Sequence, residues 1–369
     1  MSSTIVARTG GIRMPESVPT LDDHNELADQ VLALDARVTA LEAAPPEQPP
    51  IDPPVDDPKA VLLAWLAGLA GKGVVIGQYH DPVANTDVDD ALYQQSGEYP
   101  ALTGEGYWRD WDSGAMTAAD VPKCNDRCLH HWGAGGLVCI TSFQPNPSGH
   151  GGCQTIGVNV DACLTQGTRE WDNLRISWDQ EIAGFKELER GGVMILYRPL
   201  IENKWGTTGG GGGFWWGVPH GWGSGKFGEL WRQRRAHYDA AGLTNIIWTL
   251  SQYVPESWPG DDVVDSHGED VYADQCTAYQ TIYDAQTAEH PRHPWWMTEW
   301  GSGSASAGGS IDLNAHIETI KQHMPRTVIF HAWSGKTTGP GWSLCQQRNT
   351  KAAMANPYCL PLSRLGRPL

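Results

Sequence analysis

Eight short strand-like runs, spaced along the last three hundred or so residues, constrain this chain more than any other feature. They are GVVIGQYH (73–80), YPALTGEGYW (99–108), GLVCITSFQ (136–144), GVMILYRPLIE (192–202), NIIWTLSQY (245–253), DVVDSHGEDVY (262–272), PWWMTEWG (294–301) and TVIFHAW (327–333). Helix-like segments lie between them, among them SWDQEIAGFKELERG, FGELWRQRRAHYDAAGL, CTAYQTIYDAQTAEH and DLNAHIETIKQHM. Strands that do not alternate apolar with polar are buried on both faces, as in a parallel sheet covered by helices. Eight such units over about 300 residues predict an α/β fold, the (β/α)8 TIM barrel. A doubly wound open sheet is the rival. It calls for a Gly-rich phosphate loop after the first strand, and GQYHDPVANT is not one.

The front of the chain reads differently. Residues 1–20 are expected to form a flexible leader. Within 21–44, Leu27, Val31, Leu34, Val38 and Leu41 are spaced 4, 3, 4, 3, a heptad seam. A helix this short is marginal alone in water, so the seam predicts an oligomerising coiled coil. Val and Leu at its two positions lean toward two strands, with a trimer open. A single amphipathic helix docked on the body is the alternative. PPEQPPIDPPVDDP (45–58) reads as a stiff, extended Pro-rich linker. Residues 59–369 then form the catalytic-looking body.

Charge excludes one class of partner. With 26 basic against 43 acidic residues the net charge is -17, and nucleic-acid phosphates would be repelled. No run of about 18 apolar residues occurs, so no membrane span is indicated, and MSSTIVARTGG lacks the apolar stretch of a signal peptide. Trp, at 18 residues, far outnumbers Phe, at 5. Indoles fill cores, and they also match the C–H face of a pyranose ring. Cys124 and Cys128 near His130 and His131 fit no zinc spacing, and neither a metal nor a cofactor is expected. Of the eight cysteines, Cys153 and Cys163 are close enough in sequence for a local bridge if the chain works outside a cell.

In a barrel of this kind the chemistry sits where strands end. The ends here carry His80, Tyr107, Trp108, Gln144, Asn146, Arg198, Glu202, Gln252, Tyr253, Asp270, Tyr272, Glu299, Trp300, His331 and Trp333. Glu202 ends the fourth run and Glu299 the seventh, strands that face one another across a barrel. Two carboxyls on one cleft suit glycosidic cleavage: one protonated to serve the leaving oxygen, the other ionised to attack carbon or activate water.

RPLIEN followed by FWWG (214–217) resembles the RPLHE…WFWWG signature of glycoside hydrolase family 26. WPGDDVVDSHGEDVY (258–272), TEWG (298–301) and QPNP (144–147) resemble three further segments of that family, in the same order. The resemblance implies retaining hydrolysis by an endo-β-mannanase-like enzyme, with Glu202 as acid/base and Glu299 as nucleophile. Arg198, Tyr272, Gln144 and Asn146 would support them. His80, Tyr107, Trp108, Trp205, Trp215, Trp216, Asp270 and Trp333 would hold the sugar. Two positions depart from the pattern: Ile201 and Gln144 stand where the family usually has His. Both changes remove polar contacts near the reacting sugar and bear on specificity more than on hydrolysis. KWGTTGGGGG (204–213) is an insertion, either a lid or a tolerated surface loop.

The expected partner is a polysaccharide or oligosaccharide, with neither nucleic acid nor membrane involved. A stalk, a linker and an enzyme-like body without a signal peptide suit a phage tail or virion enzyme, or an extracellular one, meeting a cell-surface glycan. A carbohydrate-binding adhesin that lost turnover and a peptidoglycan-cleaving lysin are the alternatives.

Overall fold

All eight runs form strands, and the strands close on themselves. A computed structural model describes residues 57–80, 88–107, 121–204, 213–303, 311–333 and 341–369. The strands are β1 (Val74–Tyr79), β2 (Leu102–Tyr107), β3 (Leu137–Ser142), β4 (Ile195–Pro199), β5 (Ile246–Ser251), β6 (Ser266–Tyr272), β7 (Trp295–Gly301) and β8 (Thr327–Ala332). Each is parallel to both neighbours, and β1 closes the ring by pairing Gly77 with His331 of β8 and with Leu102 of β2. A short ninth strand, β9 (Cys359–Leu360), pairs with Val74 and Val75 at the start of β1. This is the (β/α)8 barrel, and the open-sheet rival is excluded. The leader, the heptad segment and the linker as far as residue 56 lie outside the described residues.

The helices of the outer layer are α1 (Pro58–Gly68), α2 (Val88–Ser96), α3 (Val121–Gly133), α4 (Val160–Leu164), α5 (Arg169–Arg190), α6 (Gly223–Ala240), α7 (Gln280–Glu289), α8 (Leu313–His323) and α9 (Thr350–Ala355). The longest, α5, follows directly from its sequence. Thr168 caps it by accepting from Trp171 N at 3.2 Å. Glu170 and Asp172 occupy its first turn and Arg190 its last, matching the helix dipole. Leu174, Trp178, Ile182, Phe185 and Leu188 form its buried stripe. The chain leaves through Gly192, whose φ of 70° suits glycine.

A polar network seats this layer on the barrel wall. Glu181 of α5 accepts from Ser142 Oγ at 2.6 Å, Tyr238 Oη at 2.7 Å and Arg234 Nη2 at 2.8 Å. Arg234 is fully buried, so this charge is tolerable only because the network satisfies it.

The barrel interior is filled by unequal partners. His331 of β8 points inward onto Gly104 of β2, and a Cβ on Gly104 would sit 2.2 Å from its Nε2. His331 Nδ1 lies 2.9 Å from the Thr298 carbonyl, and burial pushes its pKa down to about 3, leaving a neutral ring. The eight cysteines are buried thiols, with no bridge between Cys153 and Cys163. Of His130 and His131 on α3, His131 packs against Gly136 and lies 3.1 Å from the Ala101 carbonyl.

Candidate active site

The site begins with the backbone after β4. Arg198 is the last inward residue of that strand, since Tyr197 turns outward to Glu181 and Tyr238. Beyond Pro199 the chain bends through two left-handed residues, Leu200 at φ 49° and Glu202 at φ 55°. Gln252, just past the end of β5, is left-handed too, at φ 44°. Such conformations cost non-glycine residues about 1 kcal/mol or more and gather where a side chain must be aimed. Asn203 fixes the bend. Its Nδ2 donates to Ser257 Oγ at 2.9 Å, its Oδ1 accepts from Val254 N at 2.9 Å, and its carbonyl accepts from Val218 N at 2.7 Å.

Glu299 arrives by a different device. Along β7, Trp295 faces α7, donating to Gln286 at 2.8 Å, and Trp296 faces the interior, 5.9 Å from Arg198. Strict alternation would then turn Glu299 outward with Trp295 and Met297. The ladder to β6 slips instead: Met297 pairs with Glu269, and Glu299 with Asp270, leaving Thr298 as an extra residue. This bulge brings Thr298 and Glu299 both to the interior and sends Trp300 out against His316.

Three carboxylates therefore converge. Glu202, Asp270 and Glu299 each place an oxygen within 4.8 Å of the others. Arg198, fully buried, donates from Nη2 to Glu299 Oε1 at 2.8 Å and to Asp270 Oδ1 at 3.1 Å. Thr141 and Ser251 hydroxyls, each 3.3 Å away, steady the guanidinium. Tyr272 donates to Glu299 Oε2 at 2.7 Å, and Thr298 donates to Asp270 Oδ1 at 2.6 Å.

The two glutamates are unlike in their surroundings. Burial pushes the Glu202 carboxyl well above the usual carboxylate range, and the charges of Glu299 and Asp270 push it further. Among the described residues no donor reaches its carboxylate. Glu299 is raised by burial and by Asp270, but Arg198 and Tyr272 pull the other way. Hydrogen bonds to an ionised form favour that form. Arg198 and Tyr272 therefore favour the ionised form of Glu299, and Glu202, which lacks such donors among the described residues, is the better holder of a proton. The same three acids are the one metal-ligand-like cluster among the described residues, but Arg198 already pairs with two of them.

The remaining expected residues divide. Trp333 lies at the site, 5.7 Å from the Arg198 guanidinium, and stacks on Tyr79 at 3.9 Å. His80 is paired with Asp89 at 3.1 Å. Gln144 is 1% exposed and spent on structure, donating to Ser177 and accepting from Trp178 and Arg234. Asn146 closes a turn by accepting from Ser148 N and Oγ. Trp215 and Trp216 are no open sugar faces. They are buried, and their N–H groups donate to the Gln144 and Ile201 carbonyls. Tyr107 points into the helix layer, with its hydroxyl on Asn125. Outward pleat position removes it from the site. Trp108, Trp205 and most of the Gly-rich insertion lie outside the described residues. Tyr79, Thr298 and Asn203 also belong to the site; Thr298 and Asn203 sit inside the TEWG and RPLIEN motifs, and Tyr79 in the strand run GVVIGQYH.

The matched chain covers this whole arrangement. The profile of glycosyl hydrolase family 26 aligns with residues 51–362, from before β1 to beyond β9. The chain belongs to glycosyl hydrolase family 26. Its similarity to named family members is spread along the barrel. The mannan endo-1,4-beta-mannosidase of Bacillus subtilis (strain 168) is 28% identical over 323 residues, 81% of this chain and 84% of that protein. The mannan endo-1,4-beta-mannosidase A and B of Caldalkalibacillus mannanilyticus is 28% identical over 302 residues, 74% of this chain and 55% of that protein. The solved Bacillus subtilis mannanase BCman aligns with a TM-score of 0.69 at 27% identity, covering 82% of this chain and 92% of that one. The Podospora anserina GH26-CBM35 beta-(1,4)-mannanase, at 22% identity and TM-score 0.64, shares the fold, over 88% of this chain and 71% of that one. The family 26 assignment makes the chain a mannanase-like glycoside hydrolase.

Proposed function

We propose that this family 26 chain is an endo-acting hydrolase of β-1,4-linked mannan that retains anomeric configuration. One observation carries the reading: Glu202 and Glu299 approach within 4.8 Å, with two donors on Glu299. A gap near 5 to 5.5 Å suits a covalent intermediate, whereas inversion needs room for an intervening water. The mannan linkage is taken from the relatives, which are mannan endo-1,4-beta-mannosidases.

In the first step a Glu299 oxygen attacks the anomeric carbon. The Glu202 proton passes to the glycosidic oxygen, the C–O bond to the leaving sugar breaks, and a glycosyl ester forms on Glu299. In the second step Glu202, now ionised, takes a proton from water as the water oxygen attacks the same carbon and releases Glu299. Arg198 and Tyr272 keep Glu299 ionised before attack and accept its return as a leaving group. Trp333, propped by Tyr79, offers a face for the sugar beside the cut bond.

The test is product analysis on soluble mannan and a panel of other β-glycans, with anomeric configuration followed by NMR. Retained β product, lost in Glu299→Gln, supports the reading. An initial α product, or glycan binding with no turnover, defeats it. The heptad seam and Pro-rich linker support a second element of the proposal, an oligomeric stalk presenting the enzyme on a phage tail or virion. Light scattering on the full chain and on a variant with Glu at Val31, Leu34 and Val38 checks it, and a wild-type monomer rules the stalk out.

A further inference from the structure

We propose that Lys204 is a positioning residue for Glu202, held in register by the buried carboxylate of Glu269. This rests on the assignment of Glu202 as the acid/base. Glu269 lies on the outward face of β6 and is fully buried. One of its oxygens forms an ion pair with Lys204, and the other accepts from Gln286 Nε2 of α7 at 3.2 Å. Gln286 in turn accepts from Trp295 Nε1 at 2.8 Å, so the carboxylate is fixed from two sides. The lysine is thus reached from β6, while Asn203 between it and Glu202 is tied to Ser257 and Val254. A buried carboxylate facing the helix layer has no role in sugar chemistry, and its cost is offset by the cation delivered from the Glu202 loop and, in smaller part, by the Gln286 hydrogen bond.

The consequence is electrostatic as well as geometric. The charged groups around Glu202 are Glu299 on β7, Asp270 on β6, Arg198 on β4 and Lys204 on its own loop, with the Tyr272 phenol beside them. Lys204 is the one cation of this set that does not pair with Asp270 or Glu299. It opposes the upward push of burial on Glu202. Burial raises Glu269 to about 7 even with Lys204 beside it, so without the lysine it takes up a proton.

The experiment is the pH profile of kcat/KM on mannohexaose for Lys204→Met, Lys204→Arg, Glu269→Gln and the Met/Gln double variant, with circular dichroism to verify folding. Lys204→Met moves the alkaline limb up by roughly half a pH unit or more, because a carboxyl losing a nearby cation keeps its proton longer. Glu269→Gln moves the limb down, because the lysine loses its counter-charge. The double variant follows Lys204→Met, and Lys204→Arg stays near wild type. A purely structural pair would lower activity in both single variants without opposite shifts. Coincident limbs, or shifts in one direction, overturn the proposal while leaving Glu202 as acid/base. A wild-type chain inert toward mannohexaose overturns the mannan reading and this proposal together.

Discussion

Arg198 Nη2 donates to Glu299 Oε1 at 2.8 Å, joining the end of β4 to the bulge in β7 across the barrel interior. The same nitrogen reaches Asp270 Oδ1 at 3.1 Å, and Asp270 and Arg198 are fully buried while Glu299 is 2% exposed. One cation therefore balances two acids where water cannot. Replacing Arg198 with Met strips that balance. Loss of one partner of a buried pair typically costs about 3–5 kcal/mol. Arg198→Met is expected to lower the melting temperature markedly and to abolish turnover, while Arg198→Lys keeps the fold but loses the second donor direction and at least about tenfold in kcat. Thermal melts and steady-state kinetics measure the two effects separately.

Glu202, the proposed acid/base, carries a stability penalty whose sign is fixed. Its folded pKa lies well above the unfolded value of about 4.3, so the folded state holds its proton longer. Stability attached to Glu202 is complete below the unfolded pKa and falls as pH rises toward the folded one. Glu202→Gln removes that loss. The melting temperature of Glu202→Gln relative to wild type should increase between pH 5 and pH 9, and a constant difference across that range would contradict the shift.

Tyr272 acts on the other acid. Its hydroxyl is one of two donors on Glu299 among the described residues, and Tyr272→Phe removes it without opening a large cavity. The carboxylate then loses stabilisation of its ionised form, so the acid limb of kcat/KM should move to higher pH. A fall in kcat of about 10- to 100-fold should accompany the shift. A profile of unchanged shape with only a lower plateau would place Tyr272 outside the protonation equilibrium.

Within the barrel, Gly104 has no room for a methyl group. A Cβ there would meet His331 Nε2 at 2.2 Å and Cε1 at 2.6 Å. Both belong to a ring locked between Trp296 and the Thr298 carbonyl. Gly104→Ala should destabilise by about 1–3 kcal/mol through overpacking. Because Thr298 also bonds Asp270, activity should fall at temperatures where the variant is still folded. Chemical denaturation together with assays at low temperature separates the two losses.

Much of the architecture was legible from the residues. The eight runs 73–80 through 327–333 each contain an observed strand; most are chiefly apolar because both faces are covered, whereas β2 and β6 carry the buried acids Glu105, Glu269 and Asp270. The acids Glu202 and Glu299 could be singled out for a related reason. Each follows an apolar run, which places it toward a strand's C-terminal end, where barrel chemistry sits. Tyr107 fits the same rule and is misplaced by it. It follows Gly106 at a strand end, yet its side chain takes the outward pleat position, and sequence adjacency does not report which face a residue takes.

Composition and order thus determined the barrel, its strand count and the identity of the two facing acids. Only the tertiary structure decided where those acids point. Glu299 turns inward because Thr298 is an extra residue in the ladder between β6 and β7, and a slip of one residue exchanges the two faces of a strand. Glu202 is aimed by left-handed backbone that Asn203 pins to the β5–β6 connection. Trp215 and Trp216, which by type alone suit a sugar platform, are consumed as buried supports because their N–H groups meet backbone carbonyls. Each of these outcomes depends on a partner that is distant in sequence, and residue type and spacing along one segment carry no record of such a partner.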